Sequence, residues 1–263
     1  MGITLYKNAD WILTVNEKRE KFRHGDLLIS GKEILDVGND LEKKYAGKLQ
    51  IDKTIDAKGT VILPGFVNIH HHTWQSLIRN IQATRGLKLE PWLTVMYEIY
   101  KDLNTDVARA GVYSGLGDML KTGCTTSNDL WYPHPVGVKY LVDAEIQAAA
   151  EIGIRFHPTR GFHSVPSDIV PPEVVDTKES VTEDTIRLVK KYHDRSRFSM
   201  CQVGIAPSIA QYETEDIIEA VVDLAEEYDI MVHGHLAESQ HEVEYTLKTW
   251  GCRPFEWFKR HRL

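Results

Sequence analysis

The sequence predicts an α/β protein of parallel βα units behind a short β-rich segment. Three observations carry this. Residues 1–60 alternate apolar and polar residues in short runs punctuated by Gly and Asp. From residue 61 the period changes, and strand-like apolar runs alternate with amphipathic stretches of helical length. Two of those runs then end in histidine clusters, "NIHHH" and "VHGH".

Composition narrows the function classes. At 263 residues the chain makes one large domain, or one large and one small. With 42% hydrophobic and 26% charged residues it is globular, neither disordered nor fibrous. The net charge of -7 and the lack of a basic stripe argue against a nucleic-acid partner. Cys124, Cys201 and Cys252 are odd in number and widely spaced, with no CxxC, which fits a reducing compartment. No apolar leader stands at the N-terminus, and no run approaches the ~20 apolar residues of a membrane span. The expectation is a cytoplasmic protein with no membrane partner.

In chain order, "ADWILTV", "GDLLISG", "KEILDVG" and "KTIDAKGTVIL" read as strands, with "DLEKKYAG" the one helical candidate among them. "TVILPGFVNI" reads as a buried strand. "TDVARAGVYSGLGDMLKTG" is a helix closing on Gly123, "CTTSNDL" a strand, and "KYLVDAEIQAAAEIG" a helix closing on Gly153. "IRFHPTR" is a strand, and "TEDTIRLVKKYHDRS" a helix whose expected N-cap is Thr182. "FSMCQVGIAPS", "ETEDIIEAVVDLAEEYD" and "IMVHGHLAE" follow as strand, helix and strand. "SQHEVEYTLKTW" and "PFEWFKRHRL" close the chain as helix. That makes about five βα strands. An open doubly wound sheet and an incomplete (β/α)8 barrel both fit this count, since a barrel closes only with eight.

The histidines carry the chemistry. Residues two apart on a strand share a side. His70 and His72 therefore face together and His71 points away. Two imidazoles so placed grip one metal ion, whereas a lone histidine there would only fill the core or cap the strand. His233 and His235 repeat the pattern, and His233, one pleat deeper, has a plain core role as its alternative. Glu238 follows His235 by three residues. It reads either as a solvated helix-start residue or as the carboxylate that takes a proton from a metal-activated water. Trp131 and Tyr132 follow the "CTTSNDL" strand, where they stack on a flat ligand or pack the rim.

These residues resemble the amidohydrolase superfamily, in its cytosine-deaminase-like and triazine-hydrolase-like branch. The similarity is greatest to 8-oxoguanine deaminases and related heterocycle aminohydrolases, including isoxanthopterin and hydroxyatrazine-type enzymes. Their pattern "PGxVNxHHHxxQSLxR" matches Pro64, Gly65, Val67, Asn68, His70–His72, Gln75, Ser76, Leu77 and Arg79. "GCTT" at 123–126, Arg160–Gly161, Pro171–Pro172 and "YHD" at 192–194 match as well, so the likeness runs along essentially the whole chain. "RGFHS" and "GIAPSIAQ" depart from the pattern and leave the substrate open, not the reaction class.

The resemblance implies a partial (β/α)8 TIM barrel over residues 61–263, behind part of a small β-sandwich at residues 1–60. It implies a truncated chain, with a further His and the metal-binding Asp lying beyond residue 263. His70, His72 and His235 would hold one divalent ion, Zn2+ or else Fe2+, and Glu238 would be the catalytic proton shuttle. The absence of a Lys in "GIAPS" favours one metal over two. Gln75 and Arg160 are implied as substrate-binding donors, with Trp131 beside them. Their bland alternatives are a helix-start surface role for Gln75 and a loop-to-carboxylate tie for Arg160. The implied activity is deamination of a purine-, pterin- or triazine-like heterocycle, with a homo-oligomer as the full-length state. The alternatives are hydrolytic loss of chloride or alkylamine from a triazine-type ring, and a non-catalytic protein of the same fold. A nucleotide-binding module is disfavoured because no GxGxxG or GxxxxGK[ST] loop follows the first strand.

Overall fold

The computed structural model describes residues 2–263 and divides them into two compact units, the first ending at Gly65 and the second spanning Phe66–Leu263. The first is a mixed five-stranded sheet. Its strands are β1 (Ile3–Leu13), β2 (Lys21–Ser30), β3 (Glu33–Gly38), β4 (Lys53–Asp56) and β5 (Val61–Ile62), with the short helix α1 (Leu41–Tyr45) inserted. β2 runs antiparallel to β1 and β3, while β4 and β5 pair parallel with successive stretches of β1.

The second unit is mixed α/β around a parallel four-stranded sheet, ordered β6 (Phe66–Asn68), β7 (Cys124–Trp131), β8 (Arg155–Phe162) and β9 (Gly204–Pro207). Between and after these strands come α2 (Leu89–Tyr100), α3 (Thr105–Lys121), α4 (Leu141–Ile152), α5 (Lys178–Tyr192), α6 (Glu215–Tyr228), α7 (Gln240–Trp250) and α8 (Pro254–Arg260). Apolar residues of these helices, such as Leu116, Ile146, Leu188 and Val221, bury against Phe156, Val203 and Ile205 from in and beside β8 and β9. A second, aromatic cluster with Trp74, Tyr97, Tyr100, Trp131, Tyr132 and Tyr212 gathers the last residue of β7 and residues that follow β6, β7 and β9.

Four local expectations change. The run around Pro64 is not one buried strand. It breaks into β5 and β6 at the proline and glycine, and Phe66 and Val67 are exposed on β6, the edge strand of its sheet. α5 starts at Lys178, capped by Thr177 in reciprocal hydrogen bonds with Ser180, rather than at Thr182. The expected strand at 198–208 shortens to β9. The one at 230–238 makes only parallel pairing around Val232, through Ile205 N–H to Met231 O (3.0 Å) and His233 N–H to Ile205 O (3.0 Å). α2 is an element the sequence reading passed over. Its Pro91 sits in the first turn, where no intrahelical donor is lost, and it buries Leu93, Met96, Tyr97 and Tyr100 on one face.

α4 and α5 are joined by a buried charge. The Asp143 carboxylate accepts from Arg187 (2.9 and 2.5 Å), Lys191 (2.9 Å) and the Tyr192 hydroxyl (2.8 Å). Burial opposes its ionisation, yet these donors hold its pKa below the ordinary carboxylate value. A carboxyl depressed in the folded state stabilises above its unfolded pKa of about 4, and loses that contribution as pH falls through the folded value. Asp143→Asn is therefore expected to cost about 1.5–3 kcal/mol near neutral pH. It should also flatten the acid side of the stability profile, as urea unfolding followed from about pH 7 down to pH 3 would show.

Candidate functional site

The C-terminal ends of the parallel strands bring His70, His72 and His235 together. One nitrogen from each lies within 4.8 Å of the others. The ring centroids stand 4.9 Å (His70–His72), 5.0 Å (His70–His235) and 5.3 Å (His72–His235) apart. His71 turns the other way, as the alternation requires, and its Nε2 lies against Gly115 of α3. Gly234 between the second pair of histidines has a steric reason. A Cβ there would stand 2.6 Å from the Pro207 carbonyl, so only glycine lets this segment lie against the end of β9.

The tautomers follow from the neighbours. His72 Nδ1 meets the Leu130 carbonyl at 2.7 Å and His235 Nδ1 meets the Ser208 carbonyl at 3.1 Å. A carbonyl only accepts, so each Nδ1 carries the proton. Both Nε2 atoms then present lone pairs, and they face each other at 3.3 Å. Bare lone pairs at that distance repel. Two ligands each about 2.0–2.1 Å from a tetrahedral Zn2+ stand about 3.3–3.4 Å apart, so the pair fits a metal ion placed between them. Protons are disfavoured as the occupant. Burial, then neighbouring imidazoles, push the His72 pKa well down, and burial followed by His70 takes His235 to about 4. His70 completes the set. Its Nδ1 meets His233 Nε2 at 2.8 Å, and in the tautomer in which His70 donates this hydrogen bond its Nε2 is a free ligand. His233 is thus a partner of His70 rather than a plain core residue.

Beside the histidines opens a cavity of about 300 Å³, shared by His72, His235, Gln75 and Glu238 and walled by Trp92, Tyr97, Tyr132 and Tyr212. Glu238 stands at its rim. Partial desolvation, then the carboxyls of Glu242 and Glu90, raise its pKa above the ordinary glutamate value. Its backbone N–H donates to buried Glu242 at 2.8 Å, which fixes the turn into α7. Gln75 lines the same cavity and donates to the hydroxyls of Tyr100 (3.1 Å) and Tyr132 (3.4 Å).

Two expected substrate contacts are corrected. Arg160 is 3% exposed, and its guanidinium is consumed by Asp176 (2.7 Å) and Asp184 (2.9 Å), away from the cavity. It ties β8 to the start of α5. Trp131 is fully buried, packs on Trp74 at 4.6 Å and donates its indole N–H to the Pro133 carbonyl (2.8 Å). The next residue, Tyr132, faces the cavity instead. The sequence reading did not single out His163, Tyr97 or Tyr212. The "RGFHS" and "GIAPSIAQ" departures were the available signal for His163 and for the loop leading to Tyr212, and α2 supplies Tyr97.

The model of the amidohydrolase family matches residues 61–257. The chain is 31% identical to the 8-oxoguanine deaminase of Pseudomonas aeruginosa over 205 residues, 77% of this chain and 46% of that protein. It is 31% identical to a 5-methylthioadenosine/S-adenosylhomocysteine deaminase of Bacillus cereus over 255 residues, 97% of this chain and 54% of that one. Against the hydroxydechloroatrazine ethylaminohydrolase of a Pseudomonas species the identity is 27%, over 98% of this chain and 55% of the relative. The chain spans about half the length of these curated relatives. In fold it resembles the zinc complex of the atrazine chlorohydrolase from Arthrobacter aurescens, with TM-score 0.88, 24% identity, and 98% of this chain on 58% of that one.

Because Arg160 is the cation beside buried Asp176, its loss leaves that carboxylate without an ion-pair partner, while Asp184 keeps Arg187 (2.7 Å). Arg160→Gln is expected to cost about 3–5 kcal/mol of stability, read from chemical unfolding.

Proposed function

Because the chain belongs to the amidohydrolase family, we propose that it carries the metal-binding and proton-transferring part of a metal-dependent aminohydrolase acting on a flat heterocycle. The second unit is then the N-terminal part of a (β/α)8 barrel and the first unit part of a small β-sandwich, in a longer protein. The observation that carries the reading is the pair of proton-free Nε2 atoms 3.3 Å apart, with His70 completing the ligand set beside Glu238.

His70, His72 and His235 would hold one divalent ion, Zn2+ for preference and Fe2+ as the alternative. Such an ion supplies the Lewis acidity that makes water a nucleophile near neutral pH. Glu238, with its raised proton affinity, accepts a proton from the attacking water and returns it to the ring nitrogen next to the amine-bearing carbon. The Tyr and Trp walls suit the faces of a purine-, pterin- or triazine-like ring, and the Gln75 amide offers a donor or acceptor at its edge. Loss of an alkylamine or chloride from a triazine ring by the same chemistry is the second reading, favoured by the likeness to the ethylaminohydrolase. A panel of aminated, alkylaminated and chlorinated heterocycles, with ammonia, amine and chloride measured separately, decides between them. A small-molecule heterocycle is the one partner this site asks for. A homo-oligomeric, cytoplasmic enzyme is the proposed setting, and among the described residues no helix is long and apolar enough to cross a membrane.

His72→Ala or His235→Ala is expected to weaken Zn2+ binding more than the roughly 10–100-fold typical of losing an outer partner. Since burial lowers the pKa of all three imidazoles, affinity in the parent should hold below the ordinary histidine pKa of about 6.5 and fall only at more acid pH. Chelator competition across pH checks both. In the complete protein, Glu238→Gln should keep its metal and lose about 10²–10⁴ in kcat.

A further inference from the structure

Behind the histidine segment, away from the cavity, lie two carboxyls that the proposed chemistry does not use. Asp129 is in β7 and Glu145 is in α4, and both are fully buried. Thr73, the residue after His72, binds them both. Its backbone N–H donates to Asp129 Oδ1 at 2.6 Å, and its hydroxyl donates to Glu145 Oε1 in a short hydrogen bond. The other oxygens, Asp129 Oδ2 and Glu145 Oε2, have no hydrogen-bond partner, and the two carboxyls, both held on Thr73, act on each other electrostatically. Among the described residues neither has a Lys, Arg or His ion-pair partner. Two adjacent negative charges, buried with no cation, would each carry a desolvation penalty of several kcal/mol. One proton between the donorless oxygens removes a charge and satisfies both atoms at once.

We propose that Asp129 and Glu145 form a proton-sharing acid pair that positions the ligand segment His70–Thr73 from behind. The argument for positioning is local. Leu130 N–H donates to the His71 carbonyl (2.8 Å), His72 Nδ1–H donates to the Leu130 carbonyl (2.7 Å), and Thr73 N–H donates to Asp129. Three successive residues are thereby pinned to the end of β7, and Glu145 holds the Thr73 side chain from α4. Burial raises both acids, Asp129 to about 7, in keeping with a proton retained at neutral pH. The acid pair stands on its own geometry; its bearing on a metal rests on the function proposed above.

The test uses the chain of residues 1–263 and three variants. Glu145→Gln keeps the hydrogen bonds, because its amide donates to Asp129 and accepts from Thr73. Glu145→Leu removes them, and Thr73→Val removes only the hydroxyl donor, which keeps the question open to measurement should Glu145→Leu unfold. Infrared difference spectra of parent against Glu145→Gln should show loss of a protonated carboxylic acid carbonyl band. Zn2+ affinity should be retained in Glu145→Gln and fall about 10–100-fold in Glu145→Leu and Thr73→Val. Amide exchange at Thr73 and Leu130 should quicken in the same two variants and not in Glu145→Gln. No acid band lost in Glu145→Gln, or parent-like exchange and affinity in Glu145→Leu and Thr73→Val, overturns the proposal. The band and the exchange are read without metal, so a parent chain that fails to bind Zn2+ overturns the functional reading alone.

Discussion

Two backbone carbonyls decide what the histidine cluster can do. Leu130 O and Ser208 O each accept from an Nδ1–H, and this alone turns the Nε2 lone pairs of His72 and His235 onto a common point. Were either imidazole to adopt the other tautomer, an N–H would occupy that point and a nitrogen lone pair would face a carbonyl oxygen. The cluster is thus selected by hydrogen bonding at its far side, the part of a metal site that ligand spacing in a sequence does not express.

Those carbonyls are where they are because of the parallel register. β7 lies between β6 and β8, so Leu130, near its end, stands beside the segment that continues β6 into His70–His72. Ser208 immediately follows β9, alongside the segment carrying His233 and His235, whose approach depends on the missing Cβ of Gly234. Strand ends bring together residues separated by 163 positions in the chain. Helices contribute differently: α2 and the segments after β7 and β9 supply the aromatic walls, and the turn into α7 supplies Glu238.

What was legible in the sequence is what strand geometry and spacing encode. The i, i+2 histidines, the outward His71 and the carboxylate three residues beyond His235 are fixed by local rules, and the structure gathers these side chains where the spacing put them. Less legible were side chains whose fate depends on distant partners. Arg160 offered donors for a ligand, but its acids lie 16 and 24 residues further on, and nothing local announces that they take it. Trp131 and Tyr132 were equivalent candidates until the pleat sent one inward and the other to the cavity. The acid pair was invisible for the same reason: Asp129 and Glu145 look like an ordinary strand residue and an ordinary helix residue until α4 packs against the chain that follows β6.

Charge explains why such acids belong near neutral imidazoles. Three neutral histidines contribute no charge to balance a divalent cation, and nearby carboxylates would supply part of the compensating field. Glu238 and Glu242 stand on the cavity side and the Asp129–Glu145 pair behind Thr73, with Glu90 also close enough to act on Glu238. Burial raises the pKa of Glu238, Glu242, Asp129 and Glu145 where they stand, and neighbouring carboxyls add to it at Glu238 and Glu145. Arg160, Arg187 and Lys191, by contrast, are spent on Asp176, Asp184 and Asp143 around α5. The second unit thus separates its charges: the cations lock helices together, and the surplus of acid is left around the point where the imidazole lone pairs converge.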